Sequence, residues 1–379
     1  RIYKIYNDLM DDDSAESKVK ELINTETVDL KKANVLYKYV TNNIKTTAHK
    51  SLIGDLFKEP EDVLKDKSGS SSEKSMLLIN MLKIAGLDAK PVWISTRNNG
   101  VISPEFCDGS QFNRLICVVK INSKNYFLYP VSARSPFGCL TPSTEVANGF
   151  LIEEGKGSII SITPEPVISS ININTMASIS TEKELIANTV IEYLGYAALD
   201  EYDAITEKDI NIYVKDYLKE YFSEAKLDTF YYENVDSVNK PLTLKLKFRI
   251  ENYLEETDDL GYFPLPFFTA LKENPFVRPK RINPIEYEYP FSKTENIKVE
   301  LPESYIVSQI PTKRKNLITD LGFNQVYATG KNYVECVRAI GIKSRRLPAK
   351  NYGAIKSFYD DVVGASQDQI VISKSATGN

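Results

Sequence analysis

Histidine is almost missing from this chain. His49 is the only one in 379 residues. It stands in a segment that reads as a loop after the first long helix, so a surface role is its default. Cysteine is sparse as well, with Cys107, Cys117, Cys139 and Cys336 and no CxxC spacing. A zinc site needs about four ligands at short spacings, so no metal is expected and no cofactor is called for. A disulfide among the first three cysteines stays open. Aspartates 11 to 13 lack the glycine and closing glutamate of a calcium loop and read as the lead into a helix. No apolar run approaches the ~20 residues that span a bilayer, so no transmembrane segment is expected. There is no basic excess either. The formal net charge is -4, which argues against a dedicated nucleic-acid binder. The basic runs Arg278-Pro279-Lys280-Arg281 and Lys313-Arg314-Lys315 read as solvated loops.

What is present is ordinary globular material, 42% hydrophobic and 26% charged, long enough for two or three domains. The first half mixes helices and strands. Ala33, Leu36, Tyr37, Val40 and Ile44 recur at helical spacing and predict a helix over 29–45. Met76 to Ala85 is apolar nearly all round, with Lys83 in its last turn and Gly86 as its stop, so it predicts a helix inside a core. Strands are expected over 89–96, 113–121, 126–131 and 159–162. Trp93, the only tryptophan, falls on the first of these and reads as packing. The second half reads as mostly β, with strands over 243–253, 285–289, 297–301, 305–310 and 369–373. One helix interrupts it, capped by Thr206 with Asp209, with Ile210, Val214, Tyr217, Leu218 and Tyr221 as its buried stripe. The expected class is α+β, with a mixed domain over 1–165. A jelly-roll-like β-sandwich over 166–379 follows, carrying one inserted helix.

The stretch from Lys67 to Leu78, KSGSSSEKSMLL, decides how the first half is read. As a P-loop it fails, because Glu73 stands where the glycine before Lys-Ser is required. As a helix cap it fits: Ser70-Ser71-Ser72-Glu73 has capping-box spacing, worth about 1 kcal/mol. A third possibility is a catalytic turn without its nucleophile. A buried helix, then a strand, a loop, a strand and a hairpin is the order in which some enzymes place a helix-start cysteine, a strand histidine and an aspartate.

At this point the residues carry a resemblance. The first half resembles the bacterial exported transglutaminase-like proteins, which share the papain-like cysteine-protease fold. Family members carry Gly-Asp-Cys-Lys-Asp-Lys at the start of the central helix, then Phe-Asn-His on a strand, then Leu-Asp-Pro. Here stand Gly69-Ser70-Ser71-Ser72-Glu73-Lys74, Phe112-Asn113-Arg114 and Leu128-Tyr129-Pro130. Tyr39 to Ile44, Ala85 to Ala89, Pro136-Phe137-Gly138 and Asn148 to Ile152 agree with the flanking segments. Arg281 to Ile285 and Leu301 to Tyr305 are similar to the β-sandwich that follows in the same proteins. The resemblance implies an exported, periplasmic or envelope location. The chain opens on Arg1, so a processed or truncated piece is expected, with any export signal already gone.

The departures fall on the chemistry. Ser71 replaces the nucleophile, Arg114 the base and Tyr129 the orienting carboxylate. A serine needs a base to attack, and a guanidinium does not serve as one. The expectation is a catalytically inactive domain acting as a binding or scaffolding module for a peptide, protein or carboxylate-bearing ligand. Its candidate ligand-binding residues are Ser71, Arg114, Tyr129, Asn113 and Cys107. Cys117 reads as core, three residues beyond Arg114 and on the other strand face. Two alternatives stand beside this. One is a peptidase or acyltransferase using Ser71 with an unrecognised base. The other is a structural protein whose β-sandwich binds a partner or glycan.

Overall fold

A computed structural model describes residues 2–48, 52, 57–106 and 108–375. It divides into two compact units, 1–167 and 168–379. His49 and Cys107 lie outside the described residues.

The first unit is built on one helix. Helices α1 (Ile2–Met10), α2 (Glu16–Ile23), α3 (Asp29–Asn43) and α4 (Pro60–Asp66) surround α5 (Ser71–Ile84). Met76, Leu77, Leu78, Ile79, Met81 and Leu82 of α5 are all 1% exposed or less. Each such burial contributes roughly 1.5–3 kcal/mol. The apolar run predicted this core position. Asn80 is the polar residue within this apolar run: its amide nitrogen donates to the carbonyls of Leu9, Met10 and Asp12 where α1 ends, while its side-chain oxygen is buried with no partner among the described residues.

Two short parallel strands, β1 (Lys45–Thr46) and β2 (Ser68–Gly69), bring Thr46 beside the start of α5. The remaining strands are β3 (Asp88–Ile94), β4 (Arg114–Ile121), β5 (Lys124–Leu128), β6 (Asn148–Glu153) and β7 (Lys156–Ser161). They form one antiparallel sheet in the order β5-β4-β3-β6-β7. Leu115, Cys117 and Val119 join the cluster containing α5. Ile116 and Val118 alternate to the opposite face and meet Val92, Phe127 and Tyr129 in a second cluster. Trp93 is buried with the α5 cluster, and its indole N–H donates to the Tyr6 hydroxyl at 2.9 Å. Cys117, Cys139 and Cys336 are free and buried.

The second unit begins with the hairpin β8 (Ser170–Ile179) and β9 (Leu185–Leu194), followed by α6 (Tyr196–Glu207) and α7 (Ile210–Tyr221). Gly195 makes the turn into α6 at φ +61°, and a Cβ there would lie 2.3 Å from the Ile168 carbonyl oxygen, so only glycine fits. Next come β10 (Lys226–Glu233), β11 (Leu242–Ile250), β12 (Glu255–Thr257), β13 (Leu260–Pro264), β14 (Ile285–Glu286) and β15 (Phe291–Glu300). The unit closes with β16 (Tyr305–Gln309), β17 (Arg314–Ile318), β18 (Leu321–Thr329), β19 (Tyr333–Ile342), β20 (Arg346–Leu347), α8 (Tyr352–Ser366) and β21 (Gln369–Lys374).

Eight of these strands form one sheet, β10-β11-β9-β8-β15-β19-β18-β17, and four form another, β12-β13-β21-β16. One apolar cluster takes side chains from both sheets, including Ile191, Leu244, Phe248, Val299, Phe263 and Ile372. The sheet-rich character matches the expectation. The parallel pairing of β8 with β15 is a feature that an antiparallel jelly roll lacks.

Two expectations are corrected here. The described residues of this unit hold three helices, not one. Thr206 does not cap α7 but ends α6, its hydroxyl donating back to the Tyr202 and Asp203 carbonyls. Asp209 alone is the cap, accepting from the Asn211 and Ile212 amides. Among the described residues, no helix is long and apolar enough to cross a membrane.

Candidate functional site

The start of α5 is held by the capping box that the sequence spells. The Ser70 hydroxyl accepts from the Glu73 amide at 3.3 Å, and the Glu73 carboxylate accepts from the Ser70 amide at 2.7 Å. The other Glu73 oxygen accepts from the Lys58 amide at 2.8 Å. This turn is polar yet buried: Ser70, Ser71, Ser72, Glu73, Lys74 and Ser75 are all 6% exposed or less. Ser71 is the first helical residue, and its carbonyl accepts from the Ser75 hydroxyl. The Ser72 hydroxyl is buried with no partner among the described residues.

Lys74 is the group that the sequence reading passed over. It is 1% exposed. Its ammonium makes one hydrogen bond, to the Thr46 hydroxyl at 3.0 Å, and no ion pair among the described residues. Thr46 in turn donates to the Val131 carbonyl at 2.9 Å. Burial pulls the Lys74 ammonium down to about 8 from its ordinary 10.5, because a charge without a counter-charge is disfavoured in low dielectric. Residues three apart share a helix face, so Ser71 and Lys74 lie on one side of the first turn. The available sequence signal was this Ser-x-x-Lys spacing ahead of a buried helix.

Arg114 opens β4 and is half-buried. Its guanidinium makes one hydrogen bond among the described residues, to the Asn113 carbonyl at 2.7 Å, and no ion pair. Asn113 is fully engaged elsewhere. Its side-chain oxygen accepts from the Thr96 amide, and its amide nitrogen donates to the Thr96 hydroxyl, both at 2.9 Å. It therefore clasps the neighbouring strand end rather than facing a ligand.

Tyr129 follows β5 and is 6% exposed, packed with Val92, Ile116, Phe127 and Leu140. Its carbonyl accepts from the Val131 amide at 2.9 Å and from the Tyr37 hydroxyl at 3.5 Å. The β4–β5 ladder ends at the Cys117–Leu128 pair, and on the other side of β4 Arg114 pairs with Ile94 of β3. Thr46 thus links Lys74 to the Val131 carbonyl in the turn after β5. No hydrogen bond joins Ser71, Arg114 and Tyr129 to one another. Tyr129 fills an apolar cluster, while Arg114 and Lys74 supply the charge. Cys117 is wholly buried in the α5 core, and burial pushes its thiol up, which suits packing rather than reaction.

Comparison with known proteins gives the site its context. Residues 16–122 match the transglutaminase-like superfamily. Residues 259–372 match a domain-of-unknown-function family, DUF3858. No protein of curated function matches the chain. A solved structure of a putative protease from Parabacteroides distasonis ATCC 8503 is similar over 98% of this chain, with a TM-score of 0.58 and 13% identity. The present chain spans 58% of the length of that one. The likeness is one of fold.

Proposed function

We propose that the transglutaminase-like unit does not turn over a substrate and instead recognises a carboxylate-bearing ligand, such as a peptide end, as an exported envelope protein. The observation that carries this reading is the buried Lys74 ammonium, held by Thr46 with no ion pair among the described residues, in the same unit as an Arg114 guanidinium that also has no ion pair among them. A bound carboxylate would supply the missing charge, and a guanidinium fork suits a carboxylate. Arg114, at the position where the resemblance expects a base, cannot accept a proton from Ser71. The envelope location rests on the family resemblance alone.

The test is a titration with a short peptide carrying a free C-terminal carboxylate, run beside the same peptide as its amide. The parent chain should prefer the free acid, and Arg114→Ala should weaken it by about tenfold or more, the effect of losing a charge-assisted hydrogen bond. Equal affinity of parent and variant would remove Arg114 from the account.

One observation favours a second reading. Lys74 lies one helical turn from Ser71, and its acidity has moved to about 8, near the range useful for a general base. Ser-Lys pairs do serve acyl transfer. Against this, the Lys74 ammonium donates to Thr46, not to the Ser71 hydroxyl.

A further inference from the structure

The second unit holds a cavity of about 210 Å³ walled by tyrosines. Tyr213, Tyr217 and Tyr221 come from α7 at four-residue spacing, one above the other on a helix face. Tyr289 enters from the segment before β15, and Phe268 adds a further ring. The stripe expected to be core is therefore only partly so. Val214 and Leu218 are fully buried, while Tyr213, Tyr217, Tyr221 and Tyr289 are half-buried and carry the cavity to the surface.

The walls are held in place. Glu201 accepts from the Tyr213 hydroxyl at 2.8 Å and from the Tyr232 hydroxyl at 2.5 Å. Asp200 accepts from the Tyr289 hydroxyl. Phenols anchored at their tips leave rings of fixed orientation, which reduces the ordering cost of binding. Lys293 completes the lining. It is half-buried and has neither a hydrogen bond nor an ion pair among the described residues. Its ammonium lies 5.7 Å from the centroid of the Phe291 ring, and the Glu220 and Glu295 carboxylates act on it electrostatically. Burial pulls its ammonium down, in keeping with the missing partner.

We infer that this cavity is a binding site for one ring of a neutral saccharide, set against the aromatic walls and hydrogen-bonded by Lys293, Asp200 and Glu201. Three observations select that class. The lining carries both signs of charge, so neither a simple anion nor a simple cation is matched. Lys293 only donates and the carboxylates accept, and hydroxyl groups both donate and accept. The cavity, about 210 Å³, is on the scale of one sugar ring rather than a chain. Aromatic walls with a few converging polar groups are a common arrangement of small-molecule sites. This site belongs to the second unit, and the inference does not rest on the carboxylate reading of the first.

The test uses the full chain with D-glucose, D-galactose and N-acetyl-D-glucosamine as probes, read by saturation-transfer NMR and calorimetry at millimolar concentration. Sodium acetate and tetramethylammonium chloride are the charged controls. At least one sugar should bind, with neither control competing. Lys293→Met, which keeps the apolar stem, should weaken binding roughly tenfold. Tyr221→Ala should also weaken it, and Arg114→Ala should leave it unchanged. Silence from all three sugars, competition by either control, or parent-like affinity in Lys293→Met would overturn the inference.

Discussion

Arg338→Ala should bring the second unit close to unfolding, at a loss of about 3–5 kcal/mol. Arg338 lies on β19 and is 1% exposed, the largest fully buried side chain among the described residues. Its guanidinium sits between the Phe267 and Phe323 rings, 4.9 and 5.0 Å from their centroids. It donates to the Gln325 side chain, to the Ser366 hydroxyl at 2.8 Å and to the Val362 carbonyl at 3.3 Å.

The β15–β19 register puts Glu295 opposite it. Glu295 is wholly buried, and its carboxylate accepts from the Phe268 and Thr269 amides and the Thr269 hydroxyl. Truncating Arg338 leaves a void, orphans these acceptors and removes the charge facing Glu295. Set against a domain stability of about 5–15 kcal/mol, that is a large share. Chemical denaturation followed by far-UV circular dichroism measures it, and a loss under about 1 kcal/mol would contradict the assignment.

The same pair gives a pH dependence. Burial pushes Glu295 up to about 6 from 4.5, with Thr269 and the two amides opposing. A raised carboxyl favours the fold most below its unfolded value. That contribution is lost as pH rises through 6, and amounts to about 2 kcal/mol between pH 4.5 and 6.

Lys74→Met should stabilise the first unit by about 1–3 kcal/mol at pH 7. The ammonium pays desolvation with only Thr46 as partner, and methionine fills a similar space without the charge. The sign with pH follows from the lowered value. Between about 8 and 10.5 the unfolded chain holds a proton on Lys74 that the folded chain does not. Stability of the parent therefore rises across that window, by about 3 kcal/mol at most, and the advantage of the variant shrinks. Trp93 is the only tryptophan and is buried in this unit, so its fluorescence reports this unit's unfolding. A variant less stable than the parent at pH 7 would show that Lys74 has a counter-charge.

Much of the first unit was legible. The capping box, the central helix, the packing of Trp93 and strands β3 and β4, with parts of β5 and β7, followed from cap spacing and apolar pattern, while β6 was not expected as a strand. The positions of Ser71, Arg114 and Tyr129 came from the resemblance. The buried state of Lys74 was not legible, because a lysine in a serine-rich turn looks solvated until tertiary packing closes over it. The burial of Tyr129 was equally hidden, since its cluster is assembled from β3, β4, β5 and Leu140.

In the second unit, β11 announced itself by strict alternation, while β15 and β19 carry Glu295 and Arg338 inward and blur theirs. Helix α6 escaped because Asp200, Glu201, Asp203 and Glu207 mask its short apolar face. Helix α8 shows Tyr352, Ile355, Phe358 and Val362 at helical spacing, but Gly353 and Gly364 weaken the pattern. The tyrosine cavity needs α6, α7 and β15 together, and no local pattern reports that meeting.

The measurement that bears most directly on the central claim is intact-mass and peptide-mapping spectrometry of the parent chain. It would be incubated with a fluorophosphonate, and separately with a glutamine-donor protein and a tagged amine. A second sample would carry Ser71→Cys, Arg114→His and Tyr129→Asp. The account predicts an unmodified Ser71 and no amine incorporation by the parent. An adduct on Ser71 of the parent that disappears in Lys74→Met would contradict it, and would establish Ser71 and Lys74 as a working pair.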